Sequence, residues 1–153
     1  MHMHDDGDII RGLGFVALNA AYIEEQIDAC LEHFIVRGTC GEKLRRKQTS
    51  AKIKAILDQL TKIAPISDEL AYLPNHLITV GDLLERRNEV IHGRIYADQE
   101  FGDIRRSGRY GESDRPATSL ELYSLANELS AARGPLLHAS VFRLQRFLNN
   151  VKN

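Results

Sequence analysis

The stretch AYIEEQIDACLEHFI, residues 21–35, decides the fold class because its apolar side chains recur every three or four positions. This spacing is that of one face of an α-helix. The pattern extends in both directions and predicts one helix from about Ile9 to Val36, which Gly38 and Gly41 end. Its predicted core face consists of Leu13, Val16, Ala20, Ile23, Ile27, Leu31, Phe34 and Ile35.

Two further helices follow the same logic. The second is predicted from Ser50, a suitable N-cap, to about Ala64, where Pro65 ends the pattern. The third begins in the turn that contains Pro74 and continues to about His92. Glycine follows directly and provides the stop.

The last part of the chain predicts one or two more helices. TSLE, residues 118–121, is a capping box that opens a helix. Gly134 and Pro135 are predicted to break it, and LLHASVFRLQRFLNNV, residues 136–151, is predicted to form the last helix.

An insert at about 94–116 has no helical period. RIYA (94–97) and DIRR (103–106) can pair as a hairpin, and a mobile loop is the alternative. The sum predicts an all-α fold, a four- to five-helix bundle with this irregular or β-hairpin insert. We expect one domain over 9–153, preceded by a disordered tail at 1–8.

Composition limits the function. The chain of 153 residues is 43% hydrophobic and carries a net charge of −1, without an apolar run long enough to span a membrane. Two cysteines without CxxC spacing, and no histidine cluster, predict neither a metal site nor a cofactor, and favour a reduced, cytoplasmic protein. Basic residues are concentrated locally, in 42–54 and in 103–115.

The stretch ERRNEVIHGR, residues 85–94, interrupts the apolar stripe of the third helix. The stripe runs through Leu77, Val80 and Leu84 to Ile91, and its missing step falls on Arg87. A buried, unpaired arginine costs several kcal/mol, so this side chain must find an acid, an anion or a wet cleft.

Arg87 is followed by Asn88, with His92 at the helix end. These residue types suit a phosphate diester, because arginine binds phosphate oxygens and histidine exchanges protons near neutral pH. Five steps place Arg87 and His92 about 140° apart on an ideal helix. The two can converge only through a distorted last turn, or by bordering a cleft with another helix or subunit. For a single arginine, a structural salt bridge is the simpler explanation.

The residues RNEVIH resemble the R-x4-H motif of HEPN domains (higher eukaryotes and prokaryotes nucleotide-binding), with a polar residue directly after the arginine. The all-α pattern, the long first helix and SAKIKAILDQL (50–60) are also similar to HEPN segments. The resemblance covers about residues 10–150 and implies a metal-independent endoribonuclease, perhaps a toxin or defence effector.

The resemblance also implies roles for the motif. Arg87 would bind the scissile phosphate, and His92 would act as general acid or base while the RNA 2′-hydroxyl attacks. Asn88 would support either group. Two protomers would pair as a homodimer with a composite active site. An antitoxin or a nucleotidyltransferase encoded nearby would support the toxin function.

Further residues are candidates for binding RNA phosphates or bases, and the first two of them flank the motif. They are Arg86, Arg94, Tyr96, Arg105, Arg106 and Arg109. Ordinary surface placement is the alternative for each. The alternatives for the whole chain are a HEPN dimer that binds nucleotide or RNA without cutting it, and a purely structural interaction module.

Overall fold

The structure, a computed structural model, describes residues 2–63, 65–98, 102–106 and 113–151, with the backbone alone at 98 and 102–106. Helices dominate it, and the predicted all-α class is confirmed. The described helices are α1 (Ile9–Val36), α2 (Thr49–Lys62), α3 (Leu73–His92), α4 (Ser119–His138) and α5 (Leu144–Asn150), with short 3₁₀ turns at Glu42–Arg46 and Asp68–Leu70. Three short strands are β1 (Arg94–Asp98), β2 (Gly102–Arg106) and β3 (Arg115–Pro116).

The chain divides into two compact units. Unit 1 comprises Met1–Ala20 and Asp82–Ala131, and unit 2 comprises Ala21–Gly81 and Ala132–Asn153. Helices α1, α3 and α4 contribute residues to both. The single domain expected from the sequence therefore stays a prediction.

Helix α1 has the predicted bounds, and seven of its eight predicted core residues are buried, Leu13 being half-buried. Gly38 ends it with a left-handed φ of 78°. Its N–H donates to the Ile35 carbonyl (2.9 Å), and the Thr39 N–H donates to that of Phe34 (3.0 Å). These two bonds form a Schellman motif, which satisfies the last carbonyls of the helix.

In unit 2, polar contacts join α2 to α1. Lys52 is almost fully buried, and its Nζ lies 2.6 Å from an Asp28 carboxylate oxygen. The prediction that Ser50 caps α2 is wrong. The helix already begins at Thr49, whose hydroxyl donates to Glu24 (3.2 Å), and Gln48 occupies the N-cap position without a side-chain cap.

The predicted break at Gly134 and Pro135 is also wrong, because α4 continues through both residues to His138. Proline removes a backbone donor, but side chains supply donors to neighbouring carbonyls. The Tyr72 hydroxyl donates to the Pro135 carbonyl, and the imidazole of His76 bonds that of Ala132, each at 2.9 Å. The chain continues as a π-helical segment, Ala139–Arg143, and then as α5.

In unit 1, the start of α4 packs against α1 and the N-terminal segment. A Cβ on Gly12 would lie 3.0 Å from Leu122 and Tyr123 side-chain atoms, so glycine permits this close approach. Residues 2–8, predicted as a disordered tail, lie along α4. Met3 is buried there, and its N–H and carbonyl bond the side-chain amide of Asn127 (2.7 and 3.0 Å).

Other predicted boundaries of unit 1 are confirmed. Helix α3 ends at His92, directly before Gly93. The Thr118 hydroxyl caps α4 by accepting from the Glu121 N–H (3.2 Å).

The insert forms the hairpin. β1 pairs antiparallel with β2, with Arg94 opposite Arg106 and Tyr96 opposite Ile104. The sequence did not predict β3, which pairs with the other edge of β2 and sets Arg115 opposite Arg105. In the part of the chain that the structure describes, no helix is long and apolar enough to cross a membrane.

Two glycines with equal space around them should respond oppositely to alanine. A Cβ meets nothing within 4 Å at Gly38 or at Gly134, but only Gly38 has a positive φ. Gly134→Ala should raise the free energy of unfolding by about 0.5–1 kcal/mol, because glycine weakens a helix interior. Gly38→Ala should lower it by about 1–2 kcal/mol, because alanine is strained in the left-handed region. Urea denaturation measures both, and a destabilising Gly134→Ala would contradict the continuous α4.

The two free cysteines of unit 2 should differ in reactivity. Cys30 is fully buried, and burial raises the pKa of its thiol to about 12, whereas Cys40 is half-buried. Because the thiolate is the nucleophile, native protein should take up one maleimide, at Cys40, and a second only in denaturant. Intact mass measures the adducts, with Cys40→Ser as the unlabelled control. Rapid labelling of Cys30 in native protein would contradict this packing.

Candidate functional site

Arg87 occupies the apolar face of α3, as predicted. At 100° per residue it lies between Leu83, Leu84 and Val90, which are all buried. Arg87 itself is half-buried. Its Nε is buried and donates no hydrogen bond within the described residues, although the side chain takes part in other interactions. The charge is thus fixed against the core while part of the guanidinium faces solvent.

His92 lies exposed at the end of the same helix. The helix is regular there, because the Gly93 N–H donates to the Glu89 carbonyl (3.1 Å). The distorted last turn considered from the sequence is therefore absent from α3, and the offset of about 140° between Arg87 and His92 persists. Within one chain, the two side chains diverge.

Asn88 shares the face of His92, being four residues before it. It is half-buried, and its Nδ2 lies 3.4 Å from a Glu85 carboxylate oxygen, at the long limit of a hydrogen bond. The amide is therefore loosely held by its own helix. Ile91, between the two faces, keeps 37% of its surface exposed.

Arg86 is held by a carboxylate of α4. Its two terminal nitrogens lie 2.7 and 3.1 Å from the two oxygens of Glu128, in a bidentate pair. Arg86 lowers the pKa of the Glu128 carboxyl, and Glu128 raises that of Arg86. A phosphate at Arg86 would have to compete with this pair.

A second ion pair beside the motif connects the sheet to α3. Arg115 of β3 lies 2.9 Å from Glu89 and 3.9 Å from Glu121. A small pocket of about 90 Å³ is lined by Arg86, Glu89, Val90, Arg115, Glu121 and Leu125. Sequence reasoning missed both Glu89 and Arg115 as site residues, since their partners are 26 or more residues away along the chain or on another helix.

The remaining predicted RNA-binding residues belong to the insert. Arg94 is exposed, and Tyr96 keeps 37% of its surface and donates a hydrogen bond to Asp114. The backbone positions of Arg105 and Arg106 lie on β2. Arg109 lies outside the described residues.

A larger cavity is not associated with the motif. It lies in unit 2, measures about 610 Å³ and is lined mainly by Ala29, His33, Val36, Ser140, Gln145 and Leu148. None of the predicted site residues borders it. Among the described residues, no group of His, Cys, Asp or Glu is arranged to hold a metal ion.

Comparisons of the chain with known protein families, with characterised proteins and with solved structures find no match. The functional assignment therefore depends on the chemistry of the motif and its surroundings.

The Arg86–Glu128 pair should stabilise the protein only above acidic pH. The folded pKa of Glu128 lies below its ordinary value of 4.5, so the contribution is present above that value and is lost as pH falls through the folded pKa. Glu128→Gln should lower the free energy of unfolding by about 0.5 kcal/mol at pH 7, a small amount because both side chains are nearly half exposed.

Urea titrations of wild type and Glu128→Gln at neutral and acidic pH measure this difference. Arg86→Gln is the matched control, and the double variant should show that the two losses are not additive. Equal differences at both pH values would contradict the pair.

Proposed function

We propose that this chain is a metal-independent endoribonuclease of the HEPN type, acting on RNA in the cytoplasm. One observation carries the proposal. A cation, Arg87, is kept half-buried on the apolar face of α3, five residues before the exposed imidazole of His92 at the helix end. A cationic side chain on a core face is costly and has a direct use in binding a phosphate.

In the proposed reaction the RNA 2′-hydroxyl oxygen attacks the adjacent phosphorus, and the bond from phosphorus to the 5′ oxygen breaks. His92 takes the proton from the 2′-hydroxyl or gives one to the leaving 5′ oxygen. Arg87 balances the charge that develops on the phosphate oxygens. The products are a 2′,3′-cyclic phosphate and a 5′-hydroxyl, and Asn88, on the face of His92, supports the imidazole or the substrate.

The divergence of Arg87 and His92 on a regular helix supports a homodimer as the active form. In a two-fold dimer, each site would combine Arg87 of one protomer with His92 of the other, so that neither helix end needs to distort.

A toxin or defence effector is the biological role we propose for such an enzyme. Its partner would be an antitoxin, or a nucleotidyltransferase that modifies it. Either would have to block the face that carries Asn88 and His92.

The alternative is a HEPN-type dimer that binds RNA or nucleotide without cutting it. It is favoured by the state of His92, whose imidazole makes no hydrogen bond to the described residues that would fix its orientation. A catalytic histidine is usually oriented by a second group.

Cleavage of mixed RNA in EDTA tests the enzyme. Wild type should produce fragments with 2′,3′-cyclic phosphate ends, while His92→Ala and Arg87→Ala should lose activity by about a hundredfold or more, the usual contribution of a general acid or base. Arg146→Ala, at an exposed residue of α5, is the matched control and should keep full activity. Circular dichroism shows whether each variant folds. Undiminished activity in folded His92→Ala would contradict the mechanism, and binding without cleavage would favour the alternative.

Mixing the two inactive variants tests the composite site. After subunit exchange, Arg87→Ala and His92→Ala chains should recover about a quarter of wild-type activity, because half of the random two-fold dimers carry one intact site out of two. No recovery, with exchange confirmed by mass spectrometry, would place both residues in one chain's site.

A further inference from the structure

The hairpin of the insert places two arginine positions opposite each other. In the β1–β2 register the Cα of Arg94 pairs with that of Arg106. Cross-strand partners lie on the same face of a sheet, and like charges at such positions destabilise the pairing. This arrangement opposes stability, and an anion bound between the two positions would relieve it.

Arg94 differs from the other described arginines beside the motif. Arg86 is paired with Glu128, and Arg115 is paired with Glu89. Arg94 is exposed and makes no ion pair or side-chain hydrogen bond within the described residues. It follows His92 by two residues, so its charge is available directly beside the end of α3.

An aromatic ring lies on the same face of β1. Tyr96 is two residues after Arg94, and side chains two apart in a strand share a face at a distance of about 7 Å. The ring is 37% exposed, while its hydroxyl donates to the carboxylate of Asp114, which holds the ring from one end. A partly exposed, anchored ring is suited to stack on a flat group.

We propose that this face of the hairpin, defined by Arg94, Tyr96 and Arg106, binds single-stranded RNA. The two arginines share one phosphate, and Tyr96 stacks on an adjacent base. The inference rests on the proposed function for the choice of RNA as ligand, and it adds that the strand is unpaired. A base inside a duplex is stacked on its neighbours and presents no free face to a tyrosine.

Fluorescence anisotropy with a 2′-O-methyl oligoribonucleotide tests the site, because this probe lacks the attacking hydroxyl and stays intact. Arg94→Ala and Arg106→Glu should each weaken binding by about tenfold, and Arg94→Ala should reduce the slope of log affinity against log salt by about 0.7, the value for one phosphate contact on a single strand. Tyr96→Ser should weaken binding by about tenfold, whereas Tyr96→Phe should stay within about twofold because it keeps the ring.

Arg106→Glu also separates binding from folding. It places opposite charges at the paired positions, so its urea midpoint should equal or exceed that of wild type while RNA binding falls. Arg146→Glu makes the same charge change at an exposed residue of α5 and should leave affinity within about twofold.

The result that overturns the site is unchanged affinity and salt slope in Arg94→Ala and Arg106→Glu. Equal or tighter binding of a 2′-O-methyl duplex would overturn the single-strand assignment. Failure of the proposed function appears separately: if unmodified RNA is bound with these dependences but never cut, the catalytic proposal fails and this site remains.

Discussion

One backbone hydrogen bond, from the Gly93 N–H to the Glu89 carbonyl, determines how the motif can work. It keeps α3 helical to its last residue, so helix geometry alone fixes the directions of Arg87, Asn88 and His92. Arginine stays with the apolar face and histidine with the solvent face. A single chain can therefore supply either a phosphate-binding cation or a proton-transfer group to one point, and a second chain is the simplest source of the other.

The charges around this helix end are sorted into two kinds. Arg86 and Arg115 hold α4 and β3 to α3 through carboxylates, and these pairs are structural. Arg94 has no such partner in the described part of the chain, and the strand register sets a second arginine position opposite it. Attraction positions the elements of unit 1, and the unbalanced positive charge left over is concentrated on the hairpin. A net charge of −1 conceals this local excess.

Sequence periodicity predicted what depends on local pattern. The bounds of α1, the end of α3, the Thr118 cap and the hairpin all follow from residue types a few positions apart. The course of α4 did not, because Tyr72 and His76, about 60 residues earlier, supply the donors that keep the helix intact around Pro135. For the same reason the sequence identified Arg87 as anomalous but could not identify Glu128 or Glu89 as the partners of its neighbours. Spacing on one helix reveals a misplaced charge, and only the tertiary structure reveals which charges are neutralised.

The π-helical segment Ala139–Arg143 has a consequence for how the sequence can change. A π turn accommodates one residue more than an α turn, so it behaves as a single-residue insertion absorbed within a helix. Deleting one residue there would return the turn to α geometry and rotate everything beyond it by about 100°. Leu144 and Leu148, now buried, would leave the core, and the carbonyls that Arg37 binds near the end of α5 would move away from it. In unit 2 the length of this segment is therefore constrained more tightly than its composition, and insertions or deletions should be tolerated in the β1–β2 connection long before they are tolerated here.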